Sequence, residues 1–276
     1  MPGTLYIVAT PIGNLADASP RSVEVLKSVA LIACEDTRTS RTLLSRFGIA
    51  TSTVSLHEHN ERSAGAGLLR ALRAGKDVAL IGDAGTPGVS DPGALLVQAA
   101  HREGIRVAPV PGPSAALAAI SASGFPAAAF LFVGFLPAAR AARRKALAGL
   151  QGECPLVFYE APHRVLEAVQ DLAERFGAER ELVIARELTK KFEEVARMKL
   201  GEAAAWLGAG PHRQQGEFVL VLGPAEAKAD DPLAEGERVL AVLLESLPAS
   251  EAARLAARIS GAPRNALYRM ALERSK

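Results

Sequence analysis

Short apolar runs alternate with amphipathic segments over the first 119 residues of the chain. Runs of Val, Ile, Leu and Ala without polar residues are typical of strands that are buried on both faces of a sheet. The predicted strands are residues 5–10, 31–34, 78–82 and 107–110. Between these strands, Ser19 is a typical helix cap and Pro20 a typical first helical residue, so a helix is predicted to start there. Residues 60–75 are predicted to form another helix that ends in glycine. This block predicts an α/β fold with a mostly parallel sheet.

A second alternating block follows a cluster of small residues and breakers at 121–126, which we interpret as a hinge. Its predicted strands are residues 130–135, 156–159, 182–185, 194–200 and 218–222, and its predicted helices include 138–150 and 163–176. We therefore predict an N-terminal α/β lobe over 1–122 and a C-terminal α/β lobe over 123–224. Residues 225–232 are polar and contain breakers, which is typical of a linker.

The tail over 232–276 has apolar positions at helical spacing and a turn at Ser260-Gly261-Ala262-Pro263. This is a helix-turn-helix-like pattern, and its second helix would present Arg264 and Arg269 to phosphates or bases. The alternative is a helical hairpin that only packs against the rest of the protein. The pattern leaves both interpretations open.

Composition restricts the class of protein. The chain has 276 residues, 49% of them hydrophobic, which is normal for a soluble fold. No apolar run approaches the length of a bilayer span, and the N-terminus has a strand pattern where a signal peptide has a cationic start and an apolar core, so we expect a cytoplasmic protein. Cys34 and Cys154 are far apart and lack CxxC spacing, which predicts free thiols.

Net charge does not by itself indicate a nucleic-acid-binding protein, because 32 basic residues face 30 acidic ones. Basic residues are nevertheless clustered at 140–145 and in the tail beyond residue 250. Such patches fit contact with a polyanion, and they also fit solvated helix faces.

The segment from Gly82 to Gly93 carries the strongest functional signal. It follows a predicted strand and contains four glycines, two aspartates, Thr86 and Ser90. Glycines allow close approach of backbone to a ligand at the carboxyl end of a strand, so we predict a small-molecule pocket. Within the segment, Asp91-Pro92 predicts the cap and first residue of the next helix. The chain has neither GxxxxGK[ST] nor GxGxxG after its first strand, which disfavours a P-loop or an ordinary dinucleotide fold.

Five sequence blocks together resemble the ribosomal RNA methyltransferases of the tetrapyrrole (corrin/porphyrin) methylase family. They are LYIVATPIGNL (5–15), CEDTRTSRTLL (34–44), GDAGTPGVSDPG (82–93), PVPGPSA (109–115) and FYEAPHR (158–164). The resemblance covers about the first 225 residues, and the helical tail is similar to the usual C-terminal extension of these enzymes.

The resemblance implies two α/β lobes with S-adenosyl-L-methionine in the cleft between them, and a cytoplasmic homodimer. It implies 2′-O-methylation of a cytidine ribose in small-subunit (16S) ribosomal RNA, presented either as naked rRNA or in the assembled small ribosomal subunit. The implied cofactor-binding residues are Pro11, Gly82, Asp83, Ala84, Gly85, Thr86, Ser114, Ala115 and Tyr159. Asp83 is the principal one, with loop bracing as its alternative role.

The catalytic residues are less determined by the sequence. A ribose 2′-hydroxyl is a weak acid, and a positioned carboxylate or amine assists as its proton leaves. We predict Asp36 and Lys190 as candidates from the blocks that resemble the family. Arg38 and Arg41, one helical turn apart, are predicted to hold RNA phosphate, with surface salt bridges as the alternative. His57-Glu58-His59 alternates faces in a predicted extended segment, and His101 and His212 have no ligand-like neighbours, so no metal site is predicted.

Two other functions remain open at this point. A tetrapyrrole methyltransferase of the same fold would share the cofactor loop, but the CEDTR and YEAPHR blocks and the basic tail favour RNA. A non-catalytic RNA-binding protein would need only basic surfaces, and the elaborate loop over 82–93 argues against it.

Overall fold

The computed structural model describes residues 1–225 and 232–274, and the chain divides into two compact units, Met1–Pro224 and Ala225–Lys276. The first unit contains two five-stranded sheets with helices, and the predicted α/β class is confirmed. Residues 226–231 of the predicted linker and 275–276 of the predicted tail lie outside the described residues.

The first sheet is wholly parallel, with strand order β3-β2-β4-β1-β5. Its strands are β1 (Thr4–Val8), β2 (Leu31–Cys34), β3 (Thr53–Ser55), β4 (Val78–Ile81) and β5 (Arg106–Val110). Its helices are α1 (Pro20–Ser28), α2 (Thr37–Arg46), α3 (Glu61–Arg73) and α4 (Ala94–Arg102). Ser19 caps α1 by accepting the backbone N–H of Ser22, as its sequence predicts. Strand β3 was not predicted, because it is a short, partly polar edge strand of three residues.

Both faces of this sheet are covered, which explains the continuous apolar runs in the sequence. In β4, Val78 and Leu80 pack into a core with α3 and α4, while Ala79 and Ile81 pack into a second core on the opposite face. Successive strand residues point to opposite faces, so all four must be apolar.

The second sheet is mixed, with strand order β6-β7-β10-β8-β9. The elements after β5 are α5 (Ala115–Ser123), β6 (Leu131–Phe135), α6 (Arg140–Ala148), β7 (Leu156–Glu160), α7 (Val165–Phe176), β8 (Glu181–Arg186), β9 (Glu194–Lys199), α8 (Ala203–Gly208) and β10 (Phe218–Leu222). Only the β6–β7 pair is parallel, and antiparallel β10 places Phe218 opposite Glu160. Helix α5 packs on this sheet through Ala119 and Ile120. The predicted lobe boundary at 122/123 stays a prediction.

A buried ion pair joins α6 to α7. Arg143 is fully buried, and its Nε donates to Asp171 at 2.7 Å while its Nη2 donates to Glu167 at 3.0 Å. Burial alone would raise the pKa of Asp171, but the bonds from Arg143 and Arg140 outweigh it and lower the pKa.

The second unit consists, in its described part, of α9 (Pro232–Leu243), α10 (Ala249–Ser260) and α11 (Arg264–Arg274). Its core is built mostly of small residues: Leu240, Ala252, Ala253, Ala256, Ala262, Leu267 and Ala271. Helix α10 ends at Ser260, and the next residue, Gly261, has φ of 74°, the left-handed conformation that favours glycine after a helix end. In residues 1–225 and 232–274, no helix is both long and apolar enough to cross a membrane.

Candidate functional site

Three loops meet at the carboxyl edge of the first sheet, because β1 lies between β4 and β5. Thr10, after β1, and Gly85, after β4, exchange backbone hydrogen bonds of 2.8 and 3.0 Å. Gly85 has φ of 82°, a conformation that side chains disfavour, which explains the glycine. Thr86 then donates its hydroxyl to the carbonyl of Pro113, after β5, at 3.1 Å. These bonds fix the three loops relative to one another.

These loops form one wall of a cavity of about 500 Å³, and residues of the second sheet form the other. This volume lies within the range of pockets that bind small molecules. The apolar part of the wall includes Ile12, Phe135 and Leu188, and the ionisable part consists of Asp83, Asp91, Tyr159, Glu160 and Glu217.

Most of the predicted cofactor-binding residues line this cavity. They are Asp83, Ala84, Gly85, Thr86, Ser114, Ala115 and Tyr159. Pro11 and Gly82 adjoin the lining residues Ile12 and Asp83. Their role in binding stays a prediction.

Tyr159 is held firmly in the wall. Its hydroxyl accepts the backbone N–H of Ala116 at 3.3 Å, and its ring packs edge-on against Phe132 and Phe135 at centroid distances of 5.0 and 5.5 Å. Burial raises the pKa of Tyr159, and the negative charge of Asp91 adds to the effect. The phenol is therefore neutral at physiological pH.

The structure places Asp36 at the N-terminus of α2, next to the cavity. Its carboxylate accepts the backbone N–H of Arg38 at 2.8 Å and pairs with the same residue's guanidinium at 2.7 Å. The side-chain hydrogen bond from Arg38, followed by the backbone bond, lowers the pKa of Asp36 to about 2. The backbone N–H of Asp36 donates to Asp83 Oδ1 at 3.1 Å. Arg38 and Arg41 are both exposed on α2.

Lys190 lies in the loop after β8, where Glu187 and Thr189 both have positive φ, of 51° and 66°. Its Nζ donates to Glu187 at 2.7 Å and to Glu217 at 2.9 Å. Burial alone would lower the pKa of Lys190, but the two carboxylates outweigh it and raise the pKa. Lys190 is therefore an ammonium ion beside the cavity-lining Glu217.

The predicted capping role of Asp91 is wrong. Helix α4 begins at Ala94, and its first amides are satisfied by Glu61 of α3, whose Oε1 accepts the N–H of Gly93 at 3.0 Å and of Leu95 at 2.8 Å. Asp91 lines the cavity instead, and its Oδ2 is buried without a hydrogen-bond partner among the described residues.

Sequence reasoning also missed Glu160 and Glu217 as wall residues. The Glu160 side chain is 1% exposed; its Oε1 forms an ion pair with Nη2 of Arg164 at 2.6 Å and accepts the amide N–H of Ala161 at 2.8 Å. Glu160 lies within FYEAPHR, a block that was recognised as resembling the family, but the sequence did not identify Glu160 itself as a residue of the cavity wall. Glu217 has no local signal, because it reaches the cavity only through the antiparallel pairing of β10 with β7.

The remaining predicted RNA-binding residues, Arg264 and Arg269, are exposed on α11 of the second unit. In the described part of the chain, no group of three or more His, Cys, Asp or Glu side chains is arranged to hold a metal ion.

Two family models match the sequence. One describes "Tetrapyrrole (Corrin/Porphyrin) Methylases" and matches residues 4–204; the other describes the "RsmI C-terminal HTH domain" and matches residues 230–275. The first covers most of the unit that contains the cavity.

Similar proteins support the same grouping. The chain is 51% identical to ribosomal RNA small subunit methyltransferase I of Pseudomonas aeruginosa, covering 99% of this chain and 98% of that protein. It is 47% identical to the protein of the same name from Escherichia coli O157:H7, covering 98% and 95%. The crystal structure of uroporphyrin-III C-methyltransferase from Thermus thermophilus complexed with S-adenyl homocysteine matches with a TM-score of 0.54 and 20% identity, covering 80% of this chain and 97% of that one, which shows a shared fold.

Proposed function

The chain belongs to the tetrapyrrole (corrin/porphyrin) methylase family, and from this premise we propose that it methylates the 2′-oxygen of a cytidine ribose in small-subunit ribosomal RNA. The enzyme is an S-adenosyl-L-methionine-dependent methyltransferase of small-subunit rRNA, like the relatives that it matches over nearly their whole length. The 2′-oxygen and the cytidine are the finer part of the proposal, and they rest on the resemblance of the five sequence blocks.

The observation that carries the proposal is the cavity between the two sheets. Its wall combines apolar side chains with carboxylates, and Oε2 of the buried Glu160 has no hydrogen-bond partner in the described part of the chain. A cationic ligand with amino and hydroxyl donors fits such a wall, because buried acceptors need donors. When bound, S-adenosyl-L-methionine supplies an electrophilic methyl carbon on a positively charged sulfur.

The residues of the cavity hold and align the reactants. Asp83, Thr86 and Ser114 would bind the polar groups of the methyl donor, and Tyr159 forms a fixed wall opposite them. In-line displacement depends on alignment, so rigid loops tied by the Thr10–Gly85 bonds contribute to the rate through positioning.

The two catalytic candidates take roles that match their charges. Lys190 is an ammonium ion, so it stabilises negative charge that develops on the attacking oxygen and does not accept a proton. Asp36 has a pKa near 2 and is therefore a poor proton acceptor. Its role is instead to orient Arg38 through the hydrogen bond between their side chains. Arg38 and Arg41 then contact RNA phosphates, together with Arg264 and Arg269 of the second unit.

We further propose that the enzyme is a homodimer and acts in the cytoplasm, where its ribosomal substrate is found. Size-exclusion chromatography with light scattering tests the first point. A monomer mass at micromolar concentration would contradict it.

Methyl-transfer assays test the function directly. Purified protein is first titrated with S-adenosyl-L-methionine, and saturable binding is expected. It is then incubated with the labelled methyl donor and, in separate reactions, with assembled small subunits, naked small-subunit rRNA and a tetrapyrrole. Label in RNA, at a linkage that resists alkali because its 2′-oxygen is blocked, supports the proposal. Label in the tetrapyrrole alone contradicts it, and absence of cofactor binding would indicate a non-catalytic protein.

A further inference from the structure

One carboxylate in the cavity wall has no partner within the described protein. Asp91 lines the cavity, and its buried Oδ2 accepts no hydrogen bond from any described residue. The chain makes room for it, because a methyl group at Gly82 would overlap Oδ2. A buried acceptor without a donor costs free energy, so its retention requires an explanation outside stability.

The local backbone keeps this carboxylate away from its expected role. Ser90 has φ of 63°, a conformation that is unusual for a residue with a side chain. Glu61 supplies the cap of α4 in place of Asp91. Strained backbone and an unused capping residue in one segment are typical of a functional site.

Each of the other ionisable side chains in the wall has at least one partner, although Oε2 of Glu160 has none in the described part of the chain. They pair as follows: Glu160 with Arg164, Glu217 with Lys190, Asp83 with the amide of Asp36, and Tyr159 with the amide of Ala116. We propose that Asp91 is the general base that accepts the proton of the ribose 2′-hydroxyl during methyl transfer. The inference rests on the proposed function and adds a catalytic residue to it.

The proposed step balances atoms and charge. The Asp91 carboxylate takes the hydroxyl proton, an electron pair of the 2′-oxygen forms the new bond to the methyl carbon, and the electron pair of the S–C bond stays on sulfur. A carboxylate and a sulfonium are thereby converted into a neutral acid and a neutral thioether. Removing two opposite charges from a partly buried cavity is favourable, because each charge is poorly solvated there.

The electrostatic surroundings suit this role. The charged or titratable groups that face Asp91 are Glu35 after β2, Asp83 after β4 and Tyr159 on β7. Burial, followed by the charges of Glu35 and Asp83, raises the pKa of Asp91 to about 6. A base with a pKa just below the working pH is ionised and still takes up a proton readily.

The substitution Asp91→Asn in the full-length enzyme tests the proposal, with S-adenosyl-L-methionine and small ribosomal subunits that lack the modification. The single-turnover rate should fall by about 100-fold or more. The dissociation constant for S-adenosyl-L-methionine, measured by calorimetry, should be unchanged. The matched control is Glu24→Gln, an exposed carboxylate on α1, which should leave both quantities unchanged.

The pH profile gives a second readout. For the wild type, kcat/KM for S-adenosyl-L-methionine should rise about tenfold per pH unit below the pKa of Asp91 and level off above it. The Asp91→Asn variant should lack this rise of kcat/KM with pH. In the ligand-free protein, carbon NMR of labelled aspartate should show a carboxyl group titrating near pH 6 that the variant lacks.

Should Asp91→Asn fail to fold, Gly82→Ala displaces the carboxylate without removing it and should also lower the single-turnover rate. The assignment would be overturned if the variants had the single-turnover rate or the pH dependence of the wild type. It would also be overturned if weaker binding of S-adenosyl-L-methionine explained the whole loss of rate. A wild type that binds the methyl donor and labels no RNA would instead overturn the proposed function, and the NMR titration still reports on Asp91 in that case.

Discussion

Glu61 accepts a hydrogen bond from the backbone amide of Gly93 at 3.0 Å, although the two residues are 32 positions apart. The same carboxylate oxygen accepts the amide of Leu95 at 2.8 Å. The first amides of a helix lack partners within the helix, so α3 satisfies the N-terminus of α4 from outside. The glycine-rich loop over 82–93 is thereby fixed at its far end by a helix that precedes it in the chain.

Removing this cap should destabilise the protein. Glu61→Ala leaves the buried amide of Gly93 and the partly buried amide of Leu95 without an acceptor, and the free energy of unfolding should fall by about 1 to 2 kcal/mol. Urea denaturation measures the change as a lower midpoint with the same slope. Glu58→Ala removes an exposed carboxylate nearby and serves as the control. Equal midpoints for the two variants would show that the cap contributes nothing.

Neutralising Asp91 should have the opposite effect on stability. Its pKa in the folded protein, about 6, is above the value of 3.8 for an unperturbed aspartate. The folded state then binds more protons between these pH values, so stability falls as the pH rises through this window, and the full penalty applies above pH 6.

Asp91→Asn should therefore stabilise the protein at neutral pH, by less than about 3 kcal/mol, because solvent screens this partly exposed carboxylate. The gain should vanish below pH 4, where the carboxyl is protonated in both states. Urea midpoints measured across this pH range check the sign. A variant that is less stable than the wild type at neutral pH would show that the carboxylate has a favourable partner.

Asp83→Ala should weaken the binding of S-adenosyl-L-methionine by at least about tenfold, because a hydrogen bond to a charged group contributes roughly 1.5 to 3 kcal/mol. The side chain is exposed, so the melting temperature of the ligand-free protein should change little. Calorimetry measures the affinity. An unchanged affinity would assign Asp83 to bracing the loop through the Asp36 amide.

The ion pair between α6 and α7 predicts that two acidic residues of α7 contribute differently to the free energy of unfolding. Asp171→Ala leaves the fully buried guanidinium of Arg143 without its principal partner and should cost about 3 kcal/mol or more. Glu174, also on α7, is half exposed, so Glu174→Ala should cost less than about 1 kcal/mol. Denaturant midpoints separate the two. Similar losses would mean that burial does not determine the contribution of these pairs.

The sequence predicted the parallel sheet well because that sheet is buried on both faces. The bounds of β2 follow directly from its apolar run, and the loop after β4 was predicted to line a pocket because glycines at the carboxyl end of a strand allow close approach to a ligand. The predicted cofactor-binding residues after β1 and β5 came from the resemblance of their sequence blocks to the family. The short edge strand β3 carries no such run and was missed.

The parts of the site that escaped prediction depend on tertiary contacts. Asp91 looks like a helix cap in the sequence, and only the distant Glu61 makes that reading wrong. Glu217 approaches Glu160 because β10 is antiparallel to β7, and strand direction is not encoded in the apolar pattern of either strand. Local sequence therefore identified the segments of the site, while long-range packing decided which side chains face the cavity.

The exposed arginines of α11 give the last prediction. If Arg264 and Arg269 contact RNA phosphates, the double substitution to alanine should weaken RNA binding and reduce the slope of log affinity against log salt by about 2, because each lost phosphate contact removes about one released counterion. Affinity for S-adenosyl-L-methionine should be unchanged. Arg238→Ala removes an exposed arginine from α9, where it pairs with Glu235, and is the matched control. An unchanged slope in the double variant would assign α11 to packing, whereas a reduced slope with intact cofactor binding would separate RNA recognition from the chemistry of the cavity.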